Sequence, residues 1–197
     1  FGTNPLAFSS PGPTKDEPPI VVDMATSVAA RGNIIMAARK NQPIPENWAV
    51  DATGQPTTDA KAALAGAVLP MAGAKGYALA LMIEILSAIL PGTSWGPQMK
   101  IPYDDWERPT DSGIWCLAIY LGALMAEGEY ATRLGDMLAA LREAPTAPGK
   151  SIRVPGEQRA RIRATREIEG IPIDAPTLAE LDILSDEVGV AALERNE

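Results

Sequence analysis

The sequence contains no histidine and a single cysteine, Cys116. One cysteine excludes a disulfide within the chain, and the absence of histidine excludes nearly every type of zinc site. A serine–histidine or cysteine–histidine hydrolase cannot be built from these residues alone. We therefore expect no bound metal.

Aromatic residues make up only 5% of the chain, and long apolar runs are missing as well. The most apolar stretches, residues 77–90 and 114–126, are shorter than the roughly 20 residues that a membrane span needs. The net charge of −8 argues against nucleic-acid binding. The first residue is Phe1 rather than methionine, and no signal-peptide pattern follows it. We expect a cytoplasmic piece of a longer protein that binds neither membranes nor nucleic acid.

The sequence has the composition of a globular protein, since 46% of its 197 residues are apolar. Residues 20–22 and 114–120 are uniformly apolar, which predicts strands that are buried on both faces. The predicted helices cover residues 28–40, 73–90, 130–142 and 177–188, and a charged helix begins at residues 155–157. Short strands between longer helices indicate a layered α/β fold.

Capping residues mark several helix starts. Thr26 and Ser27 offer hydroxyls that predict the N-cap of helix 28–40, and Thr177 predicts the cap of the last helix. Asp59 predicts the cap of a short helix that ends near Gly66. In the helix after residue 73, one apolar face recurs with helical spacing and is expected to face the core. Its members are Leu79, Met82, Ile83, Leu86 and Leu90.

Asp23 follows the first predicted strand and is a candidate for ligand binding. Open α/β sheets bind ligands beyond the carboxyl ends of their strands, where a carboxylate can accept hydrogen bonds from ribose hydroxyls. The free N–H groups of the following helix would favour a phosphate there. Because aspartates at such positions more often cap the helix, both interpretations stay open.

Lys75 lies between Gly73 and Gly76 at the start of the most apolar predicted helix. A lysine in the first turn opposes the helix dipole by about 0.3–1 kcal/mol, and a bound anion would reverse that effect. Glycines would let the backbone approach a phosphate. Neither a GxGxxG fingerprint nor a GxxxxGK phosphate loop occurs in the sequence. The alternative is a solvated lysine beside a flexible turn.

Two further charged features have ordinary as well as functional interpretations. Glu84 shares a helix face with the small residues Ala80 and Ala88, which suits either acid–base chemistry or a salt bridge to another helix. The basic residues between 150 and 166 could bind phosphate, although such a run is more often a solvated helix face. These residues alone indicate an α/β domain with a candidate phosphate site.

Nine short motifs follow one another along the chain. They are GTNPLAF at 2–8, DMATS at 23–27, ARG at 30–32, PIPENWA at 43–49, DATGQPTTD at 51–59, LP at 69–70, KGY at 75–77, EILS at 84–87 and PGE at 155–157. In this order they resemble the type 2 malate/L-lactate dehydrogenase family, which includes sulfolactate dehydrogenase, ureidoglycolate dehydrogenase and Δ1-piperideine-2-carboxylate reductase. The resemblance extends from Phe1 to about Val190.

The resemblance implies a three-layer α/β fold with a mixed sheet, which is sulfolactate-dehydrogenase-like and not a Rossmann domain. It implies an NAD- or NADP-dependent oxidoreductase that reduces a 2-oxo acid or a related imine and forms a homodimer. By position, the family's cofactor contacts fall on Asp23, Met24, Ala25, Lys75, Gly156 and Glu157. Thr3 and Asn4 fall on the substrate side. We expect residues 1–125 to form the cofactor-binding region and residues 126–197 a helical region packed on the same domain.

Members of this family are about twice as long as the chain. The resemblance implies that the part not covered is N-terminal, with the catalytic histidine and a substrate-binding arginine. No catalytic residue is therefore assigned here, and the chain alone is expected to be inactive. A second interpretation is a non-catalytic half that serves dimerisation or scaffolding, and a third is a nucleotide-binding module.

Overall fold

A computed structural model describes residues 2–99, 107 and 109–195. Its strands are β1 (Leu6–Ser10), β2 (Ile20–Met24), β3 (Ala49–Val50) and β4 (Ala67–Val68). Its α-helices are α1 (Arg31–Arg39), α2 (Ala60–Ala65), α3 (Ala74–Glu84), α4 (Glu129–Glu143), α5 (Glu157–Glu169) and α6 (Ala175–Val188). A π-helical turn, Ile85–Ile89, continues α3, and 3-10 turns cover Gly96–Gln98 and Leu121–Ala123. No helix within the described ranges is long and apolar enough to cross a membrane.

The chain divides into two compact units. The first comprises Phe1–Ser10 and Val21–Tyr130, and the second comprises Pro11–Ile20 and Ala131–Glu197. The first unit contains α1, α2 and α3, whereas the second contains the three long helices α4, α5 and α6. The predicted division into a cofactor-binding region, residues 1–125, and a helical region packed on the same domain, residues 126–197, stays a prediction.

The core of the first unit is shared by α1, α2 and the pair of β3 and β4. These two strands are antiparallel, with Ala49 opposite Val68. The buried members of the core are Ile34, Ile44, Ala49, Ala60 and Ala63. Trp48 packs against them while remaining partly exposed. Alanine methyl groups occupy three of the five buried positions, so close approach of backbones replaces the bulk that aromatic residues supply in other cores.

The predicted cap of α2 is confirmed. Asp59 Oδ1 accepts a hydrogen bond of 2.8 Å from the N–H of Lys61, and Gly66 follows the last helical residue. The last helix, α6, begins earlier than predicted because its cap is Asp174, whose Oδ1 accepts from the N–H of Thr177 at 2.9 Å. Thr177 therefore donates its N–H to the capping side chain and does not itself cap the helix.

The predicted start of the helix at residue 28 is wrong, since α1 begins at Arg31 without a side-chain cap. The Thr26 hydroxyl donates instead to carbonyl oxygens of the N-terminal segment. Ser27 Oγ donates to the Ala29 carbonyl at 2.8 Å, and the N–H of Val28 donates to Leu69 O at 2.8 Å. Because these groups are bonded elsewhere, neither hydroxyl is available to cap the helix.

The buried face of α3 differs from the predicted face of large apolar residues. Met82 and Leu90 are 46% and 68% exposed. The residues that are buried along α3 and the π-helical turn are Gly76, Ala80, Glu84 and Ala88. A Cβ atom at Gly76 would overlap the carbonyl oxygen of Met71. Small side chains are needed on this face because the preceding loop lies directly against it.

The strand predicted for residues 114–120 is not formed. These residues have no regular structure, and Ile114, Leu117 and Tyr120 are 83%, 67% and 79% exposed. A uniformly apolar strand is stable only when neighbouring strands and layers cover it. The described part of the chain supplies no such cover. The apolar residues that predicted a buried strand here therefore form an exposed surface.

We expect Gly76→Ala to lower the free energy of unfolding by about 1–3 kcal/mol, because the added methyl group has no space. Gly32→Ala is the matched control, since a Cβ there meets nothing within 4 Å and alanine is the better helix former by about 1 kcal/mol. Urea unfolding followed by circular dichroism measures both. Equal effects of the two substitutions would contradict the close approach at Gly76.

Candidate functional site

Thr26 is 1% exposed and joins the exit of β2 to the N-terminal segment. Its backbone N–H donates to the Thr3 carbonyl at 2.9 Å. Its hydroxyl lies 3.1 Å from the Thr3 carbonyl oxygen and 3.1 Å from that of Asn4. The two predicted substrate-side residues, Thr3 and Asn4, are therefore held beside the strand end that carries Asp23, Met24 and Ala25.

The carbonyl of Thr26 extends the same arrangement to a third segment. It accepts a hydrogen bond of 2.9 Å from the N–H of Met71. Beside it, Ser27 and Pro70 form an isolated antiparallel bridge. Residues 69–71 lead directly into α3, so the start of that helix is tied to the end of β2.

Asp23 and Met24 lie at the end of β2 and are both exposed, while Ala25 is half-buried. Asp23 does not cap α1, whose N-cap is Ala30. The ordinary interpretation of Asp23 as the cap of that helix is therefore wrong. Its exposed carboxylate lies at the carboxyl end of a strand, where a ligand hydroxyl can reach it.

Lys75 is the second residue of α3 and is exposed. The turn before the helix is tight, because Ala72 and Gly73 adopt positive φ angles of 49° and 60°. No acidic residue lies in the first turn of α3, so the lysine and the helix N-terminus add their positive potentials. This combination attracts an anionic group.

Asn4 and Glu84 connect the N-terminal segment to the far end of α3. Asn4 Nδ2 donates to the Ala80 carbonyl at 2.9 Å and to Glu84 Oε2 at 2.6 Å. Glu84 Oε1 accepts from the N–H of Gly96 at 2.5 Å. The salt bridge that the sequence allowed for Glu84 is not found among the described residues, and the carboxylate binds two N–H donors instead.

Gly156 and Glu157, which the resemblance placed on the cofactor side, lie in the second unit. Glu157 begins α5 and accepts from Arg142 Nη2 at 2.9 Å and from the N–H of Val154 at 3.2 Å. The hydrogen bond from Arg142 is the main reason that the pKa of Glu157 lies below its ordinary value. These contacts describe a helix start with a salt bridge, and a cofactor role for both residues stays a prediction.

The basic residues of α5 line an open depression in the second unit. Its lining residues are Arg159, Ile162, Arg163, Arg166, Glu167 and Ile171. Arg163 Nε forms an ion pair of 2.7 Å with Glu167, four residues later. This pairing fits the solvated helix face that the sequence also allowed. Within the described residues, no cluster of three or more His, Cys, Asp or Glu side chains could hold a metal ion.

Sequence reasoning missed the central position of Thr26, because its hydroxyl was interpreted as a helix cap. The available signal was the run of two hydroxyl residues directly after a strand, which suits bonding to a neighbouring segment as well as capping. Sequence reasoning also missed Gly96, whose N–H binds Glu84 from 12 residues away along the chain. No local pattern predicts that contact.

Comparison with known proteins adds an independent finding. A family model described as malate/L-lactate dehydrogenase matches residues 1–182. Malate/(S)-sulfolactate dehydrogenase of Methanothermus fervidus is 36% identical over 190 residues, which are 96% of this chain and 54% of that protein. The Δ1-pyrroline-2-carboxylate/Δ1-piperideine-2-carboxylate reductase of Pseudomonas putida is 43% identical over 185 residues, 92% of this chain and 51% of that protein.

Two further relatives have names that specify different nucleotides. The (2R)-3-sulfolactate dehydrogenase (NADP⁺) of Chromohalobacter salexigens is 37% identical over 84% of this chain and 47% of its own length. The ureidoglycolate dehydrogenase (NAD⁺) of Escherichia coli O157:H7 is 36% identical over 88% of this chain and 49% of its own length. The chain thus spans about half the length of the relatives it matches.

Among solved structures, the sulfolactate dehydrogenase of Methanocaldococcus jannaschii superposes with a TM-score of 0.76 at 36% identity. The match covers 96% of this chain and 53% of that one. The predicted fold class is confirmed: the chain has a sulfolactate-dehydrogenase-like α/β fold, of which it contains a part.

We expect Thr26→Val to speed amide hydrogen exchange at Thr26 and Met71, because the carbonyls of residues 3 and 4 lose the hydroxyl donor that fastens them to Thr26. Thr26→Ser keeps the hydroxyl and should retain slow exchange at both amides. Mass spectrometry of the exchanged peptides, with the α2 peptide as internal reference, measures the difference. Equal exchange in the two variants would mean that the hydroxyl does not hold these segments together.

We expect the ion pair of Glu157 and Arg142 to make the free energy of unfolding depend on pH in the acidic range. Folding lowers the pKa of Glu157, so its stabilisation is present above the ordinary value of 4.5 and is lost as the pH falls through the lowered pKa. Glu157→Gln should therefore lose less unfolding free energy than the wild type between about pH 5 and pH 3, by no more than about 1 kcal/mol for this surface pair. Glu180→Gln, an exposed control on α6, should follow the wild type.

Proposed function

The chain belongs to the malate/L-lactate dehydrogenase family, and on that basis we propose that it carries the nucleotide-binding part of an NAD(P)-dependent oxidoreductase. The proposed substrate is a small 2-oxo or 2-hydroxy acid of the malate or lactate type, or a related cyclic imine. Because the chain spans about half the length of its relatives, the activity is proposed for a complete enzyme that contains it.

The observation that carries this proposal is the arrangement around Thr26. Three segments that are distant in sequence meet there: residues 3–4, the end of β2, and the loop that leads into α3. They bring most of the predicted ligand-binding residues into one unit. A buried hydroxyl that bonds main-chain carbonyls of another segment fixes their positions without using a side chain that a ligand needs.

The residues of this region fit the chemistry of a dinucleotide. Such a cofactor carries a pyrophosphate and two riboses, so it needs positive potential and hydroxyl acceptors. Lys75 with the N-terminus of α3 supplies the first, and the exposed carboxylate of Asp23 supplies the second. When it is bound, the nicotinamide supplies the hydride that converts the 2-oxo group to a 2-hydroxy group. Thr3 and Asn4 would orient the reacting ends.

The histidine to which the resemblance assigns the proton transfer is not among these residues, because the chain contains no histidine. A positioned acid typically contributes about 10²–10⁴-fold to such a step. We therefore propose that the chain alone binds nucleotide but turns over substrate poorly. A further segment of the complete enzyme would supply that acid, and the homodimer that the resemblance implies stays a prediction. A cofactor role for Gly156 and Glu157 stays a prediction, as does a cytoplasmic location.

An alternative is a non-catalytic half that serves dimerisation or scaffolding. The exposed apolar residues 114–120 favour it, because such a surface is suited to another protein surface. Nucleotide binding separates the two functions, since a scaffold has no need of it. A third possibility is a nucleotide-binding module without catalysis. It would bind nucleotide in the same way, but it would stay inactive even after the remaining part of the family's chain is added.

We expect NADH or NADPH to bind the purified chain saturably, with energy transfer from its four tryptophans to the reduced nicotinamide. The nucleotide that binds more tightly identifies the cofactor. A folded chain that binds neither nucleotide would contradict the proposed site within these residues.

Lys75→Ala should weaken nucleotide binding roughly ten- to hundredfold, the effect of losing one charged hydrogen-bond donor to a phosphate. Lys61→Ala is the matched control, because Lys61 is the second residue of α2 as Lys75 is of α3, and both are exposed. The two variants change the net charge equally. A similar loss of affinity in both would show general electrostatic attraction rather than a site at Lys75.

A further inference from the structure

Glu84 is a buried ionisable side chain that the proposed function leaves without a role. It is 5% exposed. The other polar side chains that are buried within the described residues are the neutral Ser10, Thr26 and Ser185. Burying a carboxylate is costly unless hydrogen bonds replace its water shell. Its retention at the end of α3 therefore needs an explanation in the groups that it binds.

Each oxygen of the carboxylate has one N–H partner. Oε1 accepts from the backbone of Gly96, and Oε2 accepts from the side chain of Asn4. Both are charge-assisted hydrogen bonds at 2.5 and 2.6 Å. Gly96 is reached in a tight turn with a φ angle of 46°. The carboxylate thus fastens the N-terminal segment and the turn at Gly96 to the same point of the helix.

The orientation of the Asn4 amide follows from these bonds. Nδ2 has two hydrogens, and they go to the Ala80 carbonyl and to Glu84 Oε2. Rotating the amide by 180° would turn Oδ1 toward two acceptors, so the reversed orientation is unfavourable. No donor to Oδ1 is found among the described residues. Asn4 also has a positive φ of 36°, so its backbone is held in the left-handed region as well.

A fixed Oδ1 can accept a hydrogen bond and cannot donate one. The keto form of a 2-oxo acid offers only acceptors, since its ketone and carboxylate oxygens carry no hydrogen at neutral pH. The carboxamide of a nicotinamide ring offers N–H donors. A protonated cyclic imine and the hydroxyl of a 2-hydroxy acid would each offer a donor too, but nucleotide binding measured without substrate distinguishes the nicotinamide from both.

We propose that Glu84 is a positioning residue, whose buried carboxylate fixes Asn4 so that its amide oxygen accepts an N–H from the carboxamide of a nicotinamide ring. This inference rests on the proposed nucleotide site and specifies what that site recognises. Glu84 acts through Asn4 and does not itself touch the ligand.

The test compares NADH with its reduced 3-acetylpyridine analogue, in which a methyl ketone replaces the carboxamide and no N–H remains. Calorimetric titration of the wild-type chain should give roughly three- to tenfold tighter binding of NADH, the value of one hydrogen bond. Glu84→Gln removes the charge and presents an NH₂ group to one of the two N–H donors. The bond from Asn4 is then either lost or deprived of its charge assistance, so Asn4 is held less firmly. The preference for NADH should fall toward one, and Asn4→Ala should abolish it directly.

Ser87→Ala is the control on the same element, because Ser87 Oγ donates to the Ile83 carbonyl at 2.7 Å within the helix. It should keep the wild-type preference. If Glu84 has a purely structural role, its substitution should weaken the binding of both nucleotides equally and leave the preference for NADH unchanged. That result would overturn this inference but not the proposed nucleotide site. If Glu84→Gln does not fold, the Asn4→Ala ratio decides, and an unchanged ratio overturns the inference. A folded wild-type chain that binds neither nucleotide overturns the proposed site and the inference together.

Discussion

The hydrogen bonds of Thr26 are the constraint on which the first unit depends. One buried residue bonds the N-terminal segment through its N–H and hydroxyl, and the loop before α3 through its carbonyl. These contacts span 23 residues in one direction and 45 in the other along the chain. They act together with the pairing of β1 and β2, the hydrogen bond from Val28 to Leu69 and the bonds of Asn4 to α3. The site is therefore assembled largely by main-chain bonding.

Several parts of the fold were predictable because they depend on local physics. Asp59 caps α2, and Gly66 ends it, since both effects involve groups within a few residues. The α/β class followed from short apolar runs between longer helical patterns. The start of α1 was not predictable in this way, because Thr26 can either cap a helix or bond a distant carbonyl. Only the position of residues 3 and 4 decides between them.

The candidate site was partly predictable for a similar reason. Asp23 and Lys75 were recognisable from the strand end and the helix start on which they lie. The role of Glu84 was not, because its partners are 80 residues away at Asn4 and 12 residues away at Gly96. The helix face that carries it was misjudged as well. Hydrophobicity alone favoured the large side chains, whereas the closeness of the Met71 backbone requires small ones.

The exposed apolar stretch at 114–120 has a consequence for the colloidal behaviour of the chain. Seven residues with a strand-like composition and no proline are prone to pair with the same segment of another molecule. The net charge of −8 opposes that association by mutual repulsion. The balance depends on pH, because protonation of carboxylates removes the repulsion while the apolar surface is unaffected. Mild acid should therefore promote clustering of molecules that are still folded.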